Sequence, residues 1–171
     1  MIGPLATVAL LGALVAPGPT GALSASGGDG GAILPPFFEL VPFATDFDFA
    51  VELEFSPDGT LFVVERAGIV RVIIDDDLQS SPFMDLSDEV NDHGDRGMLG
   101  FALHPGWVPD QGPTSWVYAL YTVSPVPGQD MTYNENDQFS FSRLTRWKAK
   151  FDGGRILVDL PTREVLLGQQ N

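Results

Sequence analysis

The chain has 171 residues, of which 44% are hydrophobic and 19% are charged, a composition that can fill the core of one ordinary domain. Its 23 acidic residues outnumber 9 basic ones, and the net charge of −14 makes nucleic acid and anionic membrane surfaces poor partners, because both are negatively charged. Cysteine is absent, which excludes disulfides, thiol catalysis and cysteine-ligated metals.

The N-terminal segment predicts a signal peptide over residues 1–26. Residues 5–15 form an apolar run of the length of a signal-peptide core, and helix-breaking prolines and glycines follow it. Small side chains at 22–24 fit a cleavage site, and the apolar run is too short to span a bilayer. No Lys or Arg precedes the run, so a flexible leader is the alternative. We therefore expect an exported protein, either secreted or periplasmic, with no membrane span.

The folded region is predicted to follow a linker rich in glycine and proline. Residues 27–36 form this linker, and residues 37–171 form the domain. Three short strands joined by tight turns are predicted first, at residues 49–55, 61–64 and 69–74. Such an antiparallel meander makes up most of one blade of a β-propeller.

The side-chain pattern supports these three strands. Residues 49–55 alternate between apolar and acidic side chains, which is the period of a strand with its apolar face inward. In the following turn, Pro57 presets the backbone and Gly59 closes the turn. Residues 69–74 are rich in β-branched side chains, which favour strands.

The rest of the chain also predicts strands. Residues 75–97 show no regular pattern, and the later strands are predicted at residues 98–103, 116–123, 144–151, 156–160 and 165–167. Residues 144–151 alternate basic with apolar side chains and should expose a basic face. No segment shows the apolar period of an ordinary helix, so the predicted fold class is all-β.

Two motifs carry a resemblance to a known family. Residues 56–68 read SPDGTLFVVERAG, and residues 95–105 read DRGMLGFALHP. Together they resemble the glucose/sorbosone dehydrogenase family, and the likeness runs from about residue 49 to residue 167. This resemblance implies a six-bladed β-propeller and a soluble sugar dehydrogenase that uses pyrroloquinoline quinone (PQQ).

The predicted strands are too few for a closed propeller. They amount to two blades or slightly more, whereas closed propellers have about four to eight blades. We therefore expect the N-terminal two or so blades of an incomplete β-propeller, from a truncated chain. A small self-contained β-sandwich is the competing interpretation, because sandwiches of this size are common.

The resemblance also points to two candidate cofactor-binding residues, Asp95 and Arg96. In the family, the residue two positions before the first glycine of the second motif contacts the quinone, and that position is Asp95 here. Relatives carry glutamine or glutamate there, so the shorter, charged Asp95 would disfavour a cofactor carboxylate unless Arg96 compensates. The alternative is that Asp95 and Arg96 form a local ion pair that shapes the turn.

No catalytic residue and no metal ligand is predicted. His104 precedes Pro105 and should be structural, because the corresponding His-Pro of the family ends a strand. A general base needs a positioned partner and a substrate, and by this criterion His93 is not assigned a site role either. The resemblance implies that the catalytic histidine, the other cofactor contacts and the calcium-binding carbonyls lie beyond the position of Leu167. The oxygen-rich segment 88–95 does not match the EF-hand calcium loop, and a second oxygen-rich segment, 134–137, should lie in a solvated loop.

The functional hypothesis is the N-terminal part of a PQQ-dependent sugar (aldose) dehydrogenase-like oxidoreductase that acts on sugar CH–OH groups. The complete enzyme would use PQQ and calcium, with a sugar substrate and an electron acceptor as partners, and this chain alone would be inactive. Two alternatives stay open: a non-catalytic extracellular propeller, and a carbohydrate-binding β module.

Overall fold

The computed structural model describes residues 34–123 and 140–168, and this part of the chain is all-β, as predicted. The predicted signal peptide and most of the predicted linker lie outside the described residues. Apart from one 3-10 turn at Gly112–Ser115, the regular elements of the described part are strands: β1 (Ala50–Phe55), β2 (Leu61–Glu65), β3 (Ile69–Ile74), β4 (Asp77–Leu78), β5 (Met84–Asp85), β6 (Met98–Leu103), β7 (Trp116–Val123), β8 (Phe141–Asp152) and β9 (Arg155–Leu167).

The first sheet is an antiparallel meander in the order β1-β2-β3, with β4 and β5 both pairing with β3. The prediction that residues 75–97 are irregular is therefore wrong in part, because β4 and β5 share the fourth position of this sheet. Each is only a two-residue strand, too short to produce a recognisable alternation of side chains.

The turn between β1 and β2 is closed by bonds within residues 56–60. The Gly59 N–H donates to the Ser56 carbonyl at 3.0 Å, and the Ser56 N–H donates to the Thr60 carbonyl at 2.9 Å. The Asp58 carboxylate accepts the Thr60 N–H at 3.1 Å and also accepts the Ser56 hydroxyl. The turn chemistry predicted for this segment is therefore present.

The second sheet is an antiparallel meander in the order β6-β7-β8-β9. The predicted strands at 156–160 and 165–167 form the single strand β9, which runs through Pro161. The ladder to β8 shifts register near Lys148, whose N–H is accepted by the Thr162 hydroxyl at 2.8 Å. Proline is tolerated here because β9 is an edge strand and a side-chain oxygen replaces the interrupted backbone pairing.

The main core lies between the two sheets. Phe62 of the first sheet packs its ring against Phe83 at 5.1 Å and against Trp107 at 5.3 Å, while Tyr121 stacks on Trp147 in the second sheet. These side chains are members of one continuous buried cluster that includes residues from both sheets. Burial of this apolar surface is the principal stabilisation of the fold.

The first strands of the two sheets, β1 and β6, lie beside one another. A carboxylate oxygen of Glu52 in β1 accepts the backbone N–H of Phe101 in β6 at 2.8 Å. Glu52 therefore satisfies a backbone donor on the edge of the second sheet that none of the described strands pairs with.

The prediction for the apolar face of β1 is wrong. Val51 and Phe55 are about half exposed, and Phe49 has a positive φ of 50° and precedes the strand. Among the described residues, 43–47 cover part of this face, where Phe47 packs with the half-buried Leu53 in a smaller cluster. Alternation identified the strand correctly, but it does not reveal whether another layer covers the apolar side.

The sheet topology identifies the architecture as successive β-propeller blades. Each sheet is built from consecutive strands in sequential order, and the two first strands are neighbours. The competing β-sandwich interpretation is not supported, because sandwiches typically use Greek-key connections between their sheets. Within the described ranges, no helix is long and apolar enough to cross a membrane.

Candidate functional site

The candidate site is the loop of residues 91–97, which leads from the first sheet into β6. Both of its ends are bonded to Thr122 in β7: the Asn91 N–H donates to the Thr122 carbonyl at 2.8 Å, and the Thr122 N–H donates to the Gly97 carbonyl at 2.9 Å. The loop is therefore anchored at one end of the second sheet.

Asn91 shapes the first half of the loop from within the protein. Its side chain is buried, with only 2% of the residue exposed. The side-chain oxygen accepts the His93 N–H at 3.1 Å, and the side-chain amide donates to the Ser140 hydroxyl at 3.0 Å. The Arg96 N–H then donates to the His93 carbonyl at 3.2 Å, which closes a second turn. Hydrogen bonds between polar groups of the loop close both turns, whereas the sequence indicated only that the loop is polar.

Arg66 of the first sheet lies against the second half of the loop. Its carbonyl accepts the Met98 N–H at 2.8 Å, and its guanidinium donates to the Gly94 carbonyl at 3.3 Å. Gly97 has a φ of 137°, and a Cβ there would lie 2.6 Å from the Arg66 carbonyl oxygen. Glycine is needed at this position because backbone from the other sheet occupies the space of a side chain.

The two predicted cofactor residues lie between these anchored glycines. Asp95 is exposed and Arg96 is half-buried. A carboxylate can accept hydrogen bonds and a guanidinium can donate them, so the two residue types offer both functions within one loop. The structure therefore brings Asp95 and Arg96 together on a loop whose shape is fixed on both sides.

An ion-pair cluster next to the loop was not predicted from the sequence. A carboxylate oxygen of Glu89 accepts bonds from Arg163 at 2.6 Å, from Tyr121 at 3.1 Å and from Arg143. Burial raises the pKa of the Tyr121 phenol, so it remains a neutral donor. The cluster connects the segment before the loop to β7, β8 and β9 of the second sheet. Its partners are far apart in sequence, so no local motif could reveal it.

The described residues do not form a side-chain metal centre. Within residues 34–123 and 140–168, there is no group of three or more His, Asp or Glu side chains close enough together to hold a metal ion. Within the oxygen-rich segment 88–95, the side-chain oxygen of Asn91 is already bonded to the His93 N–H. The second oxygen-rich segment, at 134–137, lies outside the described residues.

His104 lies at the far end of β6 from the candidate loop. Its N–H donates to the Trp116 carbonyl at 2.9 Å, which continues the pairing of β6 with β7. Its Nδ1 is buried and has no hydrogen-bond partner within the described part of the chain. This position favours the predicted structural role.

Fold and loop together define a protein of the β-propeller class with a polar, anchored loop at one end of its second blade. The family model described as Glucose / Sorbosone dehydrogenase matches residues 47–157, which include both the hairpin turn and the candidate loop. Because this match covers more than half of the chain, the protein belongs to the glucose/sorbosone dehydrogenase family.

Among solved structures, the chain is similar to an oxidoreductase from Thermus thermophilus that is described as a glucose dehydrogenase. The two are 26% identical with a TM-score of 0.48, and the match covers 73% of this chain. The chain spans only 30% of the length of that protein. A comparison with curated proteins gives no match.

Proposed function

We propose that this chain forms part of a PQQ-dependent, sugar (aldose) dehydrogenase-like oxidoreductase. The observation that carries the proposal is the family match over residues 47–157, because it contains the candidate loop with both proposed cofactor contacts. The anchoring of that loop from two sheets supports it, since a cofactor contact needs a fixed position.

The charges of the loop fit one edge of PQQ. This planar quinone carries several carboxylates and ring nitrogens, so it needs both cations and hydrogen-bond acceptors around it. Arg96 would face a carboxylate, and Asp95 would accept a hydrogen bond from a ring N–H. Within the loop, Asp92 and Asp95 outnumber Arg96, and the neighbouring Arg66 brings the local charge into balance, so these residues alone do not neutralise a polyanion. We therefore assign to Asp95 and Arg96 the contact with one edge of the cofactor.

When bound, PQQ would supply the hydride acceptor for oxidation of a sugar CH–OH group, which is the difficult part of the chemistry. The contribution of the described residues is to bind and orient the cofactor edge. His104 is not proposed as the base, because it lies at the opposite end of β6 from Asp95 and Arg96.

The remaining assignments follow from this role. Residues 1–26 act as a signal peptide and residues 27–36 as a linker, and the domain from residue 37 works outside the cytoplasm, secreted or in the periplasm. Its partners are a sugar substrate and an electron acceptor, and calcium accompanies PQQ.

The test uses the full-length gene product, loaded with PQQ and Ca²⁺ and assayed for dye reduction with a series of aldoses. We expect reduction with at least one sugar. Arg96→Gln should weaken PQQ binding about tenfold, the effect of losing one hydrogen bond to a charged group. Asp95→Ala should also weaken it, whereas Asp95→Gln should retain binding.

Arg155→Gln is the matched control, because Arg155 is an exposed arginine at the opposite end of the second sheet, bonded to Ser81. It should leave PQQ binding unchanged. Sugar binding without any dye reduction would favour the non-catalytic propeller instead. Equal PQQ binding by the Arg96→Gln variant and the control would remove Arg96 from the site.

A further inference from the structure

We infer that Arg66, a residue of the first sheet, is the positioning residue for the cofactor loop of the second sheet. This inference rests on the proposed function of Asp95 and Arg96. Arg66 lies in the turn between β2 and β3, about thirty positions before the loop in sequence, yet it contacts the loop on both sides of the two proposed cofactor residues.

The backbone of Arg66 fixes the C-terminal side of the pair. Its carbonyl accepts the Met98 N–H at 2.8 Å, and the Cα of Gly97 packs directly on it. A Cβ at Gly97 would come within 2.5 Å of the Arg66 Cγ. The residue immediately after Arg96 is therefore in contact with both the backbone and the side chain of Arg66.

The side chain of Arg66 fixes the N-terminal side of the pair. Its Nη1 donates to the Gly94 carbonyl at 3.3 Å, immediately before Asp95. Gly94 has a positive φ of 63°, and a Cβ added there would meet no atom within 4 Å, so side-chain packing does not restrain this position. The Arg66 hydrogen bond thus adds a restraint from the first sheet to a position that side-chain packing does not confine.

Phe49 holds the guanidinium of Arg66 in place. The guanidinium carbon lies 4.1 Å from the centre of the Phe49 ring, a cation–π contact. The Arg66 N–H also donates to the Phe49 carbonyl at 3.1 Å. The Nε of Arg66 is buried without a hydrogen-bond partner within the described ranges, so its desolvation is not offset by a bond of its own. The Arg66 side chain is therefore held by Phe49 at one face while its Nη1 donates to the Gly94 carbonyl.

These contacts predict that Arg66 fixes the positions of Asp95 and Arg96. Arg66 itself is not expected to contact the cofactor. Removing its hydrogen-bond donors should loosen the loop and weaken cofactor binding while the rest of the fold persists. Arg66→Met retains an apolar stem of similar length and removes the donors. Arg66→Lys restores a cation that can reach the Gly94 carbonyl.

The matched control is Arg71→Met. Arg71 lies in β3 of the same hairpin and is half-buried, and its Nε likewise has no partner within the described residues. Its position in β3 pairs with Val63, further along the hairpin from the turn that touches the loop. A general effect of removing a half-buried arginine from this hairpin would therefore be seen in both variants.

The experiment measures two quantities on the full-length gene product: hydrogen–deuterium exchange of a peptide covering residues 92–98, and the dissociation constant for PQQ. In Arg66→Met we expect faster exchange in that peptide and about tenfold weaker PQQ binding, as for the loss of one charge-assisted hydrogen bond. Arg66→Lys should recover part of both, and Arg71→Met should change neither.

The outcomes separate this inference from the proposed function. If the wild type does not bind PQQ, the proposed function fails, and hydrogen–deuterium exchange alone tests the inference. In that case, faster exchange of residues 92–98 in Arg66→Met but not in Arg71→Met still supports a positioning role for Arg66. Unchanged exchange in Arg66→Met, or the same change in Arg71→Met, overturns the inference. If Arg66→Met does not fold, Phe49→Leu replaces it, since it removes the stacking ring and should produce the same changes in smaller degree.

Discussion

The turn at residues 56–60 and the loop at residues 91–97 contain the same kind of local hydrogen bond but differ in what else holds them. In the turn, the Asp58 carboxylate accepts the N–H two residues further on, at Thr60. In the loop, the Asn91 side-chain oxygen does the same with His93. The turn then completes its hydrogen bonds within one hairpin, whereas the loop completes them with β7, Ser140 and Arg66.

This difference shows which features are encoded locally. A turn whose hydrogen bonds lie within one hairpin is determined by its own residues, so substitutions in it should remove only local interactions. A loop that depends on neighbouring sheets is set by the tertiary structure, and changes in it should disturb the packing between sheets. The following substitutions measure that contrast in the free energy of unfolding.

The largest contrast is expected between two glycines. Gly97→Ala should destabilise the protein by about 3 kcal/mol, because its Cβ would overlap the backbone of Arg66 at a positive φ. Gly59→Ala should cost only about 1 kcal/mol, since Gly59 also has a positive φ but open space around it. Urea unfolding of both variants measures the difference, and equal costs would mean that the contact between Gly97 and Arg66 is not close.

A smaller effect is expected at the buried amide of the loop. Asn91→Ala should cost about 2 kcal/mol, because it leaves the His93 N–H and the Ser140 hydroxyl without their partner. Asn91→Asp retains the acceptor and loses the donor, so it should cost less at neutral pH. Urea unfolding of the two variants measures the difference. A lower unfolding midpoint for Asn91→Asp than for Asn91→Ala would contradict this reasoning.

The turn should show a pH dependence instead. The hydroxyl of Ser56, followed by the N–H of Thr60, lowers the pKa of Asp58. Its contribution to stability is therefore present above the pKa of the unfolded chain and lost as the pH falls through the lower folded pKa. Asp58→Asn should cost about 1 kcal/mol or less at pH 7, since the group is exposed, and the difference from wild type should vanish in acid. Thermal unfolding across this pH range measures it.

The smallest effect, of opposite sign, is expected at Glu65, which is 3% exposed and adjoins Arg66. Burial raises the pKa of Glu65, so the folded state binds its proton more tightly than the unfolded chain does. Its contribution is therefore full below the unfolded pKa and is lost as the pH rises through the folded pKa. Glu65→Gln should be more stable than wild type at pH 8 by about 0.5 kcal/mol, within the range of single substitutions.

Thermal unfolding from pH 4 to pH 8 measures this effect. The advantage of Glu65→Gln over wild type should grow as the pH rises. A constant difference across the range would mean that Glu65 does not titrate as its burial requires.

The sequence was sufficient for features that depend on near neighbours. β7 was predicted with its observed bounds, and the alternation in β8 correctly separated the buried Trp147 and Ala149 from the half-buried basic side chains. The turn at Asp58 and Gly59 was likewise predicted from its residue types. In each case the determining interactions lie within a few positions of one another.

The sequence was insufficient where a distant contact decides the outcome. The exposure of Val51 depends on what covers the sheet, and the continuity of β9 through Pro161 depends on the Thr162 hydroxyl. The contact of Arg66 with Gly97 brings together two motifs that the sequence shows only as separate. The resemblance identified Asp95 and Arg96 as candidates, but their anchoring was apparent only in three dimensions.

The bond from Glu52 to the Phe101 N–H has a consequence for encounters between molecules. An edge strand with unpaired N–H groups can accept a strand from another molecule and so begin edge-to-edge self-association. At Phe101 the donor is already engaged, and a negative charge lies at the position where an incoming carbonyl would bind. The same carboxylate that joins the two blades therefore disfavours the addition of a foreign strand at this position of the second one.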